Sequence, residues 1–264
     1  MENTQSYTKT EISKGDFEHD KSLTDNIKYI SKMIKTHPIE DIFLHNMELN
    51  DKEIKLLSSA VKHCHTLQNF SLDNVRLGTT AAGSLAEALT HCKNLCSLSF
   101  TKIKNSEASV LTRVVPLCTE LAFLEFFETE LGDNEISDLA DAITKCHKLT
   151  CLKVNSTKLS SAAAHSLVEA VSKCRNLEQL DLSGNRLNDN GAKSLACVLQ
   201  DCPHMAYLNL ENNQICSEGA KLLAAAFKHF KNLTVDIGGN KIGNEVANLF
   251  ADLAQIKPGV IVRL

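Results

Sequence analysis

Leu177-Glu178-Gln179-Leu180-Asp181-Leu182-Ser183-Gly184-Asn185-Arg186-Leu187 places apolar residues at 177, 180, 182 and 187 with one amide at 185. The same frame recurs downstream at Met205, Leu208, Leu210, Asn213 and Ile215. Upstream it recurs at Leu149, Leu152, Val154, Leu159 and at Leu121, Leu124, Phe126, Leu131. Further copies begin at Leu95, Leu67 and Ile39, in steps of 28, 28, 26, 28, 28 and 28 residues. An eighth copy, one residue short, carries Val235, Ile237, Asn240 and Ile242. A fixed period of this length marks an array of stacked units.

Each unit changes period halfway. Leu180 and Leu182 are two apart, so they share one face of a short strand. Gly191, Leu195 and Leu199 are four apart, one stripe of a helix, as are Ala81, Leu85, Leu89 and Ala163, Leu167, Val171. A single strand and helix cannot bury their apolar faces alone, so neighbours must stack into a parallel sheet with helices outside. The segment Leu177 to Leu187, followed by Gly191-Ala192, resembles the consensus of the ribonuclease-inhibitor-like class of leucine-rich repeats, also found in NOD-like receptor sensor regions. The resemblance runs from about Ile39 to Leu264. It implies an α/β horseshoe of about eight 28-residue repeats, with a parallel concave sheet and convex helices.

Three regions follow. Residues 39–264 form the solenoid. Residues 22–38 carry the stripe Leu23, Ile27, Ile30, Ile34, stopped by Pro38, and read as a helix capping the first repeat. Residues 1–21 are polar and read as a mobile tail. Within the solenoid the amide position is filled at Asn185, Asn213 and Asn240, while Thr129 and Thr157 replace part of its hydrogen bonding. Met47, Val75 and Ile103 cannot, so the first three repeats are expected to be less regular. The 26-residue unit contains Pro116 and is expected to have a short or distorted helix. Val260 to Leu264 is expected to begin a ninth strand.

Of 264 residues, 28 are basic and 32 acidic, for a net charge of −4, which argues against a general nucleic-acid binder. The longest apolar run, Leu222 to Phe227, is far too short to span a bilayer. Six of ten cysteines, Cys64, Cys92, Cys118, Cys146, Cys174 and Cys202, hold one repeat position that Phe230 takes in the last unit. A position shared by Cys and Phe is a buried apolar site. Helix-side positions in adjacent units lie about 10 Å apart, too far for a disulfide, so the thiols imply a reducing compartment, the cytosol. His63-Cys64-His65 with His91-Cys92 has the residue types of a zinc site, but adjacent residues seldom aim at one metal, and the histidines suit helix C-termini. No metal or cofactor is expected. No phosphate loop, HExxH or GxSxG is present, and no enzymatic activity is expected.

The functional residues are therefore sought between the core positions of each strand, on the concave face. Three rows result, of which the middle one runs Phe43, Ser71, Ser99, Glu125, Lys153, Asp181, Asn209, Asp236. Phe123-Leu124-Glu125-Phe126-Phe127 stands apart, because it turns two aromatics and a carboxylate toward solvent near the middle of the sheet. Exposed aromatics ringed by polar groups compose a protein-binding hot spot. Lys153 and Thr101 border it, Phe43 and Tyr207 are outlying aromatics, and Asp73, Asp181, Glu211 and Asp236 make the rest of the face acidic. A blander alternative is that both rings lie flat beneath neighbouring long side chains with no partner. The family resemblance implies a globular protein partner, and an inhibitor that occludes an enzyme's active site. An adaptor that tethers proteins without inhibition is the second reading. The absence of Trp argues against a ribonuclease as target. A stand-alone solenoid rich in Lys, Asn and Ile also resembles effectors that intracellular bacteria such as Legionella deliver into host cytosol, whose partner is a host protein or another effector.

Overall fold

The computed structural model describes residues 9–13 and 22–264. The 28-residue register becomes a ladder of eight strand–helix units and a closing strand. In the first half, β2 (Asp41–Glu48), β3 (Asn69–Arg76), β4 (Ser97–Thr101) and β5 (Phe123–Phe127) alternate with α2 (Asp51–Val61), α3 (Thr79–Leu89), α4 (Asn105–Leu111) and α5 (Asp133–Ile143). In the second, β6 (Cys151–Asn155), β7 (Gln179–Asp181), β8 (Tyr207–Asn209) and β9 (Leu233–Asp236) alternate with α6 (Ser161–Val171), α7 (Asn188–Val198), α8 (Ser217–Phe227) and α9 (Asn244–Ile256). The strand β10 (Val260–Arg263) closes the series, as expected from Val260 onward. All strands pair in parallel and in sequence order. Strands need about 4.8 Å each and packed helices 8–10 Å, so stacking one of each per unit bends the array with the sheet inside. This is a leucine-rich-repeat solenoid.

The core is one continuous column. Leu98, Leu124, Leu152, Leu180 and Leu208 lie in one register across the sheet and are fully buried. Phe100 and Phe126 widen the column, with ring centroids 5.3 Å apart. The repeat of Phe100 has a short outer helix. There α4 ends at Leu111 and a 3-10 turn over Thr112–Leu117 carries Pro116, which matches the expected shortening.

At the N-terminal end, α1 (Leu23–Thr36) begins at Ser22, whose hydroxyl accepts the Asp25 N–H at 3.2 Å. Ile27, Ile30 and Ile34 are buried in the common core. Part of the segment read as a mobile tail is ordered: Lys9–Ser13 forms β1, paired in parallel with β2. The correction has a simple cause, since an eight-residue strand at a sheet edge offers a full row of unpaired N–H and C=O groups. The rest of that segment, residues 1–8 and 14–21, lies outside the described residues.

The expected irregularity of the early repeats is overturned in the first two of the three. Where Met47 and Val75 replace the amide, β2 and β3 run for eight residues, and the pairs Met47↔Val75 and Glu48↔Arg76 continue the ladder. Leu49 N–H then reaches Arg76 O at 3.0 Å. Backbone groups that Asn satisfies elsewhere are satisfied here by strand pairing, so an apolar side chain suffices. The converse holds at Asn185 and Asn213, where the strands last three residues.

Candidate functional site

The site is the concave face of β4 to β8, built by register. Each unit has a left-handed residue at one repeat position: Asn46, Asn74, Lys102, Glu128, Ser156, Gly184, Asn212 and Gly239 have φ between 48° and 68°. From Lys102 onward it turns the chain away after the strand, while in β2 and β3 it lies within the strand. Because this turn repeats, side chains of corresponding number stack across the sheet. Glu125 lies between Ser99 and Lys153, and Lys153 lies between Glu125 and Asp181. Phe123 stands beside Ser97 and Cys151, and Phe127 beside Thr101 and Asn155.

At the centre these groups form one bonded unit. Ser99 Oγ donates to Glu125 Oε2 at 2.7 Å. Lys153 Nζ lies 3.6 Å from the other oxygen, Oε1, and 5.2 Å from the centroid of the Phe123 ring. The ammonium thus covers an aromatic face while facing a carboxylate, a geometry favoured by the ring quadrupole. Phe123 and Phe127 are half-buried, which corrects the expectation that both stand in solvent. Strand neighbours 4.8 Å away shield ring edges, and Lys153 shields the Phe123 face. The side chains of Lys153 and Glu125 keep 33% and 22% of their exposure, so the unit remains accessible from the concave side.

A second constellation lies toward the C-terminus. Tyr207 Oη donates to Asp236 Oδ2 at 2.6 Å, and Arg263 holds Asp236 Oδ1 at 3.2 Å. Burial pushes the Tyr207 phenol up to about 12, with further contributions from Asp236, Asp181 and Glu211, because each carboxylate opposes a phenolate. Asp181 Oδ1 and Asn209 Oδ1 accept the N–H groups of Ser183 and Glu211, at 2.9 and 3.0 Å, and so shape the turns beneath them.

Of the residues singled out from the sequence, Phe123, Glu125, Phe127, Lys153, Thr101 and Asp181 are brought together on four adjacent strands. Tyr207 and Glu211 belong to the next strand and its turn. Phe43 and Asp73 stand on β2 and β3, at the N-terminal side of the same face. Ser99, which orients Glu125, was not among them, although it falls in the middle row, and Asp236, read from the sequence only as part of the acidic surround, engages Tyr207.

The histidines and cysteines weighed as a zinc site point apart. His63, His65 and His91 are exposed, whereas the Cys64 and Cys92 thiols are buried and donate to Ile39 O at 3.3 Å and Val61 O at 3.4 Å. His91 Nδ1 lies 3.1 Å from Glu87 O in the last turn of α3. Among the described residues, no three His, Cys, Asp or Glu side chains converge as metal ligands, and no helix is long and apolar enough to cross a membrane.

Fold and face define a class, the leucine-rich-repeat scaffolds, whose extended concave surfaces serve protein–protein interaction. A Leucine Rich repeat family model matches residues 173–196 and 201–224, in agreement with that class. Among solved structures, an internalin (inlF) from Listeria monocytogenes str. 4b F2365 aligns over 94% of this chain and 85% of its own, at 15% identity and a TM-score of 0.39. No curated protein matches the chain in sequence.

Proposed function

We propose that this solenoid binds a globular protein through the centre of its concave face and inhibits that protein, an enzyme, by covering its active site. The observation that carries the reading is the Ser99–Glu125–Lys153–Phe123 unit with Phe127 beside it. Fold stability requires none of these identities, because the core is supplied by Leu124, Phe126, Leu152 and Val154. Half-buried aromatics flanked by a partly buried ion pair have the composition of an interface centre. The acidic surroundings, Asp73, Asp181, Glu211 and Asp236, favour a partner with a basic surface and speed its encounter. The repeat consensus resembles that of ribonuclease-inhibitor-like solenoids, which supports the reading, and the free, largely buried thiols fit a reducing cytosol, including that of a host cell that receives the chain as a bacterial effector.

The test is affinity capture from bacterial and host lysates with wild type and a Phe123→Ala/Glu125→Ala/Phe127→Ala variant, after matched thermal melts. A partner held by wild type and lost by the variant supports the reading, and equal capture by both refutes it. Assay of the captured protein's activity then separates inhibition from tethering. Loss of activity at saturation supports an inhibitor, and unchanged activity supports an adaptor.

A further inference from the structure

We propose that the Phe123 ring and Glu125 carboxylate form a subsite for a cationic side chain of the partner, arginine before lysine, and that Lys153 fills this subsite only in the free protein. The inference rests on the concave-face reading above and names what that face recognises.

Three observations carry it. The first is that Lys153 sits as a bound cation would, over an aromatic ring and against a carboxylate. Glu125 does not depend on Lys153 for its position, because Ser99 fixes its other oxygen at 2.7 Å. The subsite therefore persists when the ammonium leaves. The second is that Lys153 has somewhere to go. Its register neighbour on the opposite side is Asp181, one of whose oxygens accepts the Ser183 N–H. A four-carbon stem spans the distance between adjacent strands, so the ammonium exchanges one carboxylate for another rather than becoming unpaired. The third is the charge of the surroundings. From β2 to β10 the three concave rows carry carboxylates at Asp41, Asp73, Glu125, Asp181, Glu211 and Asp236. Their lysine and arginine cations are Lys153 and Arg263, and Arg263 is held by Asp236 at the sheet edge.

Arginine outcompetes the resident lysine on geometry. At 3.6 Å, the Lys153–Glu125 contact is longer than a good hydrogen bond. A planar guanidinium can stack on Phe123 and donate N–H groups to Glu125 Oε1 at once, which a point-like ammonium cannot. Entry of an arginine thus replaces a weak, half-exposed pair by a stronger one.

The probes are hexa-arginine, hexalysine and hexaglutamate peptides, titrated calorimetrically into the full chain at low salt. Lys153→Met empties the subsite while keeping the stem, and Lys158→Met removes the same charge from an exposed loop as a control. Hexa-arginine is expected to bind more tightly than hexalysine, with hexaglutamate silent. Lys153→Met should tighten hexa-arginine binding about tenfold, against less than threefold for Lys158→Met. Adding Glu125→Gln or Phe123→Leu to Lys153→Met should reverse the gain, whereas adding Asp181→Asn should reverse little of it. Equal effects of Lys153→Met and Lys158→Met, or of Glu125→Gln and Asp181→Asn, would reduce the subsite to a diffuse acidic field and overturn the proposal. The two readings fail separately. A captured protein lost by the triple variant, with no arginine preference in Lys153→Met, leaves the concave face standing and removes the subsite. The expected peptide results, with a captured protein indifferent to the triple variant, do the reverse.

Discussion

Asn185 Oδ1 accepts both the backbone N–H of Thr157, at 3.1 Å, and its hydroxyl, at 3.2 Å, across the boundary between two repeats. The same oxygen takes the Leu159 N–H at 3.0 Å, while Nδ2 donates to Val154 O and Leu182 O at 2.7 and 2.9 Å. One buried amide thus satisfies turn backbone from two units. Asn185→Ala should cost at least about 3 kcal/mol in urea denaturation, since several buried groups lose partners worth about 1–3 kcal/mol each. Met47→Leu, at the same repeat position in β2, should cost less than about 1.5 kcal/mol, because strand pairing already satisfies its turn. Equal losses would contradict the exchange of ladder for amide.

That exchange marks where sequence reading stops. Leucine spacing gives the units, their order and the buried face, because burial on a strand has period two whatever the neighbours are. It says nothing of how Met47 and Val75 are compensated, since the replacement is backbone pairing between repeats. The cysteine period reveals burial but not bonding: the thiols of Cys92, Cys174 and Cys202 donate to Val61, Ile143 and Val171 carbonyls at 3.4, 3.6 and 3.7 Å, each 31 residues back. The exposed aromatics were legible as a patch, yet Lys153 over Phe123 depends on a side-chain rotamer and is visible only in three dimensions. A strand at Lys9–Ser13 had no repeat frame to announce it.

The thiol ladder predicts a sharp division in reactivity. Burial pushes the Cys92, Cys118 and Cys174 thiols up to about 12 and those of Cys146 and Cys202 up to about 11. Cys197 and Cys216 are exposed. At pH 8 a small thiol reagent should label those two within minutes, and the ladder cysteines only at the rate of unfolding. Rapid labelling of Cys174 in the folded protein would contradict the packing.

Glu107 is 2% exposed, and its Oε2 has no hydrogen-bond partner. Burial raises its carboxyl above the ordinary 4.5, opposed by backbone hydrogen bonds from Leu77 and Lys104 and by the Lys104 charge. A raised folded value means that the native state holds this proton more tightly than the unfolded chain. The group's contribution to stability therefore falls as pH rises from 4.5 through its folded value, and above that value the full cost persists. Glu107→Gln should raise the melting temperature by about 3 °C at pH 7.5, roughly 1 kcal/mol at this size. The gap should close below pH 4.5. A variant less stable than wild type at pH 7.5 would contradict this.

Tyr207 offers a spectroscopic handle on the acidic half of the concave face. In a Tyr7→Phe/Tyr29→Phe background, which leaves Tyr207 as the sole tyrosine, its phenolate band should be missing below about pH 11, given a phenol near 12. Asp236→Asn removes both a charge and the acceptor of the 2.6 Å hydrogen bond, and should bring the transition down toward 10.

The central claim, that partners dock on the concave centre, is tested most directly by photo-crosslinking. p-Benzoylphenylalanine placed at Thr101 stands on the strand next to Phe123–Glu125–Phe127, at Gln179 two strands away on the other side, and at Leu222 on the exposed face of α8. With a captured partner, the account predicts crosslinks from positions 101 and 179 and none from 222. Crosslinking from 222 alone would move the interface to the convex helices and contradict it.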